Sequence, residues 1–174
     1  MTDGAPAPGP PPDPDPAAEA DPAAEARRLR RRQAADEHER VLAAGGHLLQ
    51  QLSMRDVVVE GCDLAVEMDL DGRVTNPRGA LQGGLMATLV DIVAGRAVLT
   101  GGPRDGVATS DLTIHYLRGL TVGPARAAAT VVRRGARSAV VSVDVVDAGS
   151  GSLCAVATVG FSVTPTATPT EPVP

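Results

Sequence analysis

The spacing of apolar positions changes three times along this chain. Residues 23–43 hold helix formers without Pro or Gly, and charge lies on every side: Arg27, Arg28, Arg30, Arg31 and Arg32 precede Asp36, Glu37 and Glu39. Such a stretch predicts a solvated helix, or a docking surface for an anionic partner. Gly45 and Gly46 separate it from Leu48, Leu49 and Leu52, whose spacing predicts a short helix packed on the domain that follows. From Val57 the period becomes two. Leu64, Val66, Met68 and Leu70 alternate with Ala65, Glu67 and Asp69, a half-buried strand closed by the Asp71-Gly72 turn signal. Asn76-Pro77 opens a loop, because a residue before Pro is pushed out of helical dihedrals.

A third pattern follows Gly83-Gly84. Leu85 to Leu99 is apolar nearly all round, with Asp91 and Arg96 its ionisable residues. A block this long predicts a buried helix rather than a strand, ended by Gly101-Gly102-Pro103. Period two then returns in four strands. Leu112, Ile114 and Tyr116 share a face of 107–117, 125–133 carries Val131 and Val132, Ala139, Val141, Val143 and Val145 share a face of 138–146, and 153–163 is the last. Turns fall at Arg134-Gly135-Ala136 and over 148–152, and Thr164-Pro165 ends the run. One long apolar helix among about five antiparallel strands predicts the α+β class. A helix apolar all round needs a sheet wrapped about it, or a sheet on one side and a partner on the other.

Composition narrows the chemistry. The first 22 of the 174 residues are mostly Pro, Ala, Asp and Gly, and the last ten are mostly Thr, Pro and Ala. Neither end buries enough apolar surface to offset ordering entropy. The expected organisation is a disordered tail at 1–22, an Arg-rich helix at 23–44, one domain at 45–164 and a second tail at 165–174. All 16 basic residues are Arg, which excludes lysine Schiff-base chemistry. With no Trp, only Tyr116 and Phe161 as aromatics, and a net charge of −5, nucleic acid is a poor partner. Cys62 and Cys154 are too few for a disulfide framework or a structural zinc site. No metal or redox cofactor is implied. The chain lacks an apolar secretory core near its start and a run of the ~18 apolar residues a membrane span needs, so a cytoplasmic protein is expected.

Two features could carry chemistry. A helix opening at Gly83-Gly84 presents unpaired N–H groups and the positive end of its dipole, and Gly lets a ligand approach the backbone. That end suits an anion or a developing oxyanion, although Gly-Gly also serves as a plain tight turn. Asp91, amid Leu89, Val90, Ile92 and Val93, is a candidate base; it is also a candidate buried acceptor or ion-pair partner of Arg96. Gly84 and Asp91 are ~10 Å apart along a helix at ~1.5 Å per residue, too far to serve one reacting carbon. Two antiparallel helices of a dimer would bring them together.

The segment from Asn76 through Gln82-Gly83-Gly84 to Asp91 resembles the signature of hotdog-fold acyl-CoA thioesterases, closest to the PaaI-type and thioesterase-superfamily-member branch. There an Asn, a spacer and His-Gly-Gly precede an apolar helix carrying Asp. Ala108 to Gly119 resembles the next strand of that family, and the likeness extends over about 45–164. The resemblance implies a hotdog fold, dimeric or a dimer of dimers, that hydrolyses acyl-CoA to acid and CoA. It implies that the Gly83 N–H polarises the thioester carbonyl beside Gly84. It makes Asp91 of the opposite subunit the general base or nucleophile, places Thr109 where it holds the water or substrate, and sets Asn76 near the thioester. Gln82 stands where the family usually has His, and Gln hydrogen-bonds without titrating. That departure favours, as the alternative, a non-catalytic acyl-CoA binding or sensor protein. Arg133, Arg134 and Arg137 flank a turn where the family often contacts CoA, with Arg118 and Arg78 weaker candidates.

Other residues draw structural readings. Arg96 is expected to pair with a carboxylate, His115 to be packed or exposed, and Cys154 to be a small core residue. Cys62 has no activating partner in sequence, and His38 and His47 do not suggest a metal pair. A scaffold recruiting partners through the Arg-rich helix is a further alternative, and a hydratase would want an Asp and His pair that the helix lacks.

Overall fold

A computed structural model of the chain describes residues 22–100 and 106–164. The expected tail at 165–174, the expected tail at 1–22 apart from Pro22, and the Gly101-Gly102-Pro103 helix stop lie outside the described residues. The chain divides into two compact units after Gln50. In the first, α1 (Pro22–Ala43) starts on a Pro, whose missing N–H costs nothing in a first turn. It ends where Gly45 takes φ +68°, so that Gly45 and Gly46 donate to the Leu42 and Val41 carbonyls at 3.0 and 3.1 Å. The Arg run is solvent-exposed. His38 and His47 meet edge-to-face, with ring centroids 4.9 Å apart. A short α2 (Leu48–Gln51) follows, and Leu48 is exposed.

The second unit holds β1 (Met54–Val57), β2 (Leu64–Met68), α3 (Gly83–Thr100), β3 (Gly106–Tyr116), β4 (Ala125–Arg134), β5 (Ser138–Asp147) and β6 (Ser152–Thr164). The strands form one antiparallel sheet in the order β1-β2-β4-β5-β6-β3. Its inner face is made by the period-two residues: Ala125, Ala127 and Ala129, then Ala139, Val141, Val143 and Val145, then Ala155, Val159 and Phe161, all buried. α3 lies on that face, against β2 through β6. It buries Met86, Leu89, Val90, Val93, Ala94, Ala97 and Val98. Each larger side chain among these contributes ~1.5–3 kcal/mol on burial, so packing holds the helix in place. At Gly95 the Phe161 ring lies 3.6 Å from where a Cβ would sit. The opposite side of α3, from Gly84 through Thr88, Asp91, Ile92 and Arg96 to Leu99, remains exposed or half-exposed. Of the two arrangements the sequence allows, a single chain thus supplies a sheet on one side only.

The sheet has six strands rather than about five. The addition is β1, whose Met-Arg-Asp-Val has no apolar alternation. A cross-strand ion ladder joins it instead: Arg55 and Arg126 sit directly opposite Glu67 from either side. Glu67, 5% exposed, accepts from Arg55 at 2.7 Å and from Arg126 Nε and Nη2 at 2.9 and 2.6 Å. Two strands across from Glu67, at the end of β5, Asp147, 2% exposed, accepts the backbone N–H groups of Thr121, Val122 and Gly123 at 3.0, 3.0 and 2.9 Å. Burial alone would raise its carboxyl pKa, but these donors outweigh it and hold it below the usual carboxylate value. Gly123 has φ +76°, and a Cβ there would come within 2.6 Å of the Leu70 Cβ, so the clamped loop requires glycine.

Candidate active site

The site is built on the exposed side of α3. Asp71 starts its approach with an Asx turn, its Oδ1 accepting the Arg73 N–H at 2.8 Å. Asn76 does the same one loop later: its Oδ1 accepts from Arg78 and Ala80 at 2.8 and 3.3 Å, and Gly79 closes the turn at φ +75°. Asn76 therefore spends its side-chain carbonyl on the loop and offers a ligand its amide nitrogen. Gln82 is the N-cap. Its N–H donates to Val74 at 2.9 Å and its carbonyl accepts Leu85 and Met86, both at 3.0 Å. Its side chain is exposed and makes no hydrogen bond to the described residues. The N–H groups of Gly83 and Gly84 then point out of the first turn, without an intrahelical acceptor and open to solvent.

Two β3 side chains reach this helix. Thr109 donates its hydroxyl to Asp91 Oδ1 at 2.7 Å, and Tyr116 donates its hydroxyl to the Gly83 carbonyl at 2.8 Å. β3 runs back along α3, so its start meets the middle of the helix and its end meets the N-terminus. A β-bulge between Thr109 and Asp111 makes both contacts possible. Without the extra residue, alternation would place Thr109 on the face opposite Leu112, Ile114 and Tyr116. Tyr116 is absent from the sequence-based site. The signal for it was its place on the Leu112–Ile114 face of a strand that follows the helix directly.

Asp91 is half-buried rather than sunk in the core, and it pairs with Thr109, not Arg96. Arg96 instead makes a two-pronged bond to Asp56 of β1, at 2.8 and 2.6 Å, which holds the Asp56 carboxyl below its usual value. Gly83 and Asp91 are eight residues apart, ~12 Å along the axis, so one chain does not bring them to a common atom.

The three candidate CoA arginines lie at the far end of α3. Arg134 donates to the Val98 carbonyl, closing the helix C-terminus together with Thr100, whose hydroxyl donates to Ala97 at 2.9 Å. Arg133 and Arg137 project into solvent. Beside them a cleft of about 370 Å³ is lined by Asp63, Ala97, Val98, Thr100, Val131 and Arg134. Arg78, Arg118 and His115 are exposed. Cys154 is buried, which pushes its thiol pKa up, and half-buried Cys62 donates to the Val59 carbonyl at 3.3 Å. Among the described residues no three His, Cys, Asp or Glu side chains gather as a metal site. α3 is long and apolar enough to cross a membrane, but here it is the core helix of the sheet.

Residues 78–154 match the family model described as the thioesterase superfamily, a span that takes in Gln82, Gly83, Asp91, Thr109, Tyr116 and Arg137 and begins after Asn76. A proposed esterase of Saccharolobus solfataricus is 28% identical over 110 residues, covering 63% of this chain and 79% of that protein. Among solved structures, a Haemophilus influenzae thioesterase superposes with a TM-score of 0.63 at 22% identity, covering 74% of this chain and 87% of its own. A Bacillus halodurans protein crystallised with CoA has a TM-score of 0.54 at 33% identity, over 57% of this chain and 66% of its own. Zebrafish thioesterase superfamily member 2 has a TM-score of 0.58 at 24% identity, over 63% and 80%. The hotdog fold and the thioesterase likeness expected from the sequence are borne out, and the matches support a thioester hydrolase.

Proposed function

We propose that this chain, with the thioesterase-superfamily hotdog fold, hydrolyses acyl-CoA thioesters at a site shared by two copies. The observation that carries this reading is the pairing of Asp91 with Thr109 on the open side of a helix whose Gly83 and Gly84 N–H groups are free. Asp91 takes a proton from water, and the water oxygen attacks the thioester carbonyl carbon. The Gly83 N–H, with the helix dipole behind it, receives the oxyanion; donors of this kind are worth ~10²–10³ in rate. Collapse breaks the C–S bond and releases CoA as thiolate and the acyl group as acid. Direct attack by the Asp91 carboxylate, forming an anhydride that water then cleaves, uses the same atoms.

The second copy is called for by distance and by the sheet edge. β3 pairs only with β6 among the described strands, leaving an 11-residue edge unpaired. Edge strands of this kind invite pairing with another chain. Antiparallel β3–β3 pairing sets two α3 helices side by side, and Gly83 of one opposite Asp91 of the other. Val98 lies seven residues beyond Asp91, so Arg133, Arg134 and Arg137 then stand ~10 Å past that junction, where they suit the phosphates of CoA. The Bacillus halodurans protein crystallised with CoA supports that ligand class.

The test is free-thiol release from short, long and aromatic acyl-CoAs, wild type against Asp91→Asn. Turnover of at least one ester by wild type, and loss of most of it in the folded variant, is expected. The second reading is acyl-CoA binding without hydrolysis. The unengaged Gln82 side chain, where the family has His, favours it specifically. No turnover by wild type, with CoA esters raising the melting temperature, would select it.

A further inference from the structure

Tyr116 is the single tyrosine of a chain without tryptophan, and it ends an edge strand. It is 51% exposed, so it is not there to fill the core. Yet its phenol is fixed on the Gly83 carbonyl at 2.8 Å, and its ring lies 3.6 Å from where a Gly83 Cβ would project. That carbonyl already has the helix pattern's own donor, the Ala87 N–H four residues on. The phenol therefore takes the second lone pair of an acceptor that needs no further partner. The bond does not rescue a buried group; it fixes the peptide joining Gly83 to Gly84. Two successive glycines without side chains would otherwise leave the first turn free to swing.

We infer that Tyr116 is a positioning residue for the proposed thioesterase site, holding the Gly83–Gly84 peptide so that its Gly84 N–H, and through the Gly83 backbone the Gly83 N–H of the preceding peptide, stay aimed at the thioester oxygen. The inference rests on that reading of the site and assigns Tyr116 no contact with substrate. β3 thereby frames both halves of the chemistry, Thr109 at Asp91 and Tyr116 at Gly83. Gln82 contributes only its backbone, and the Thr88 hydroxyl donates to the Gly84 carbonyl at 3.0 Å from within α3, so the phenol is the side chain that ties the turn to another element among the described residues. Hydrogen bonding to the carbonyl also polarises its peptide and strengthens the Gly84 N–H as a donor.

The experiment compares full-length wild type with Tyr116→Phe, which keeps the ring and deletes the hydroxyl. On the best ester of the thiol-release panel, kcat should fall about tenfold while KM stays within about twofold, since a loosened donor acts on the transition state. The melting temperature should stay within a few degrees. In parallel, ¹⁵N relaxation of the Gly83 and Gly84 amides is recorded. Wild type should show rigid-backbone order, and the variant should show lowered order at those two amides only. Unchanged kcat with unchanged amide order would overturn the inference, as would an equal rise of KM. If wild type hydrolyses no ester, the thioesterase reading fails by itself. The amide measurement then still decides whether Tyr116 holds the turn, and unaltered order would overturn that as well.

Discussion

Thr109→Val removes a hydroxyl and keeps the shape of the side chain, so it isolates the bond to Asp91. That bond is short, 2.7 Å, and its acceptor is a carboxylate. Hydrogen bonds to charged groups are worth ~1.5–3 kcal/mol net, but Asp91 is half-buried and water replaces part of the loss, which leaves ~1–2 kcal/mol. At 1.36 kcal/mol per factor of ten, kcat/KM should fall roughly 5–30-fold. Thr109 lies exposed on an edge strand, so stability should change by less than about 1 kcal/mol. Thr109→Ser restores the donor and should recover to within about threefold of wild type. The assay is initial-rate thiol release over a substrate series, with thermal unfolding as control. A Val variant as active as wild type would refute the reasoning, and so would a Ser variant as slow as the Val.

Gly84→Ala should raise the melting temperature slightly, because nothing lies within 4 Å of the added Cβ and Ala favours a helix by ~1 kcal/mol over Gly; thiol release should nonetheless drop as the methyl crowds the thioester. Asp147→Asn turns an amide on three loop N–H groups, which should cost ~2–4 kcal/mol and lower the melting temperature by about 8–16 °C in a domain of this size. The Asp147 pKa is lowered in the fold, so its contribution is full above the unfolded value near 3.8 and is lost as pH falls through the lower folded value. Melting temperatures of wild type and variant should accordingly differ fully above about pH 4 and draw together only as pH falls from there through the lower folded value. Arg133→Gln with Arg137→Gln should raise KM for acyl-CoA with little effect on kcat, and the difference should shrink as salt rises; equal KM values at low salt would remove these two arginines from the CoA site.

The long elements were legible because their periods were unambiguous. Alternation through Ala139, Val141, Val143 and Val145 gave β5 its buried face, and the uninterrupted apolar run gave α3. Asp91 and the Gly-Gly turn stood out because polar or flexible residues are costly in such a run. β1 escaped notice since Met54–Val57 is held by the Arg55–Glu67–Arg126 ladder, and ion pairs leave no periodic trace. Asp147 falls just past the expected 138–146 strand and carries no local signal, because its partners are backbone N–H groups of a loop some 25 residues away. The bulge that turns Thr109 toward Asp91 is equally invisible, as an extra residue only shows once the pairing with β6 is known. The Arg134 guanidinium also bonds the Val98 carbonyl, a contact no turn signal announces because it depends on where α3 ends.

The central claim is that one chain's Gly83 works with another chain's Asp91. Gly83→Pro deletes that N–H at a first-turn position that tolerates Pro, and Asp91→Asn deletes the base. Each variant alone should be nearly inactive. Unfolded together and refolded as an equal mixture, they should regain about a quarter of wild-type thiol release, since half the dimers are mixed and each mixed dimer has one intact site of two. A mixture no more active than its components would contradict a shared site.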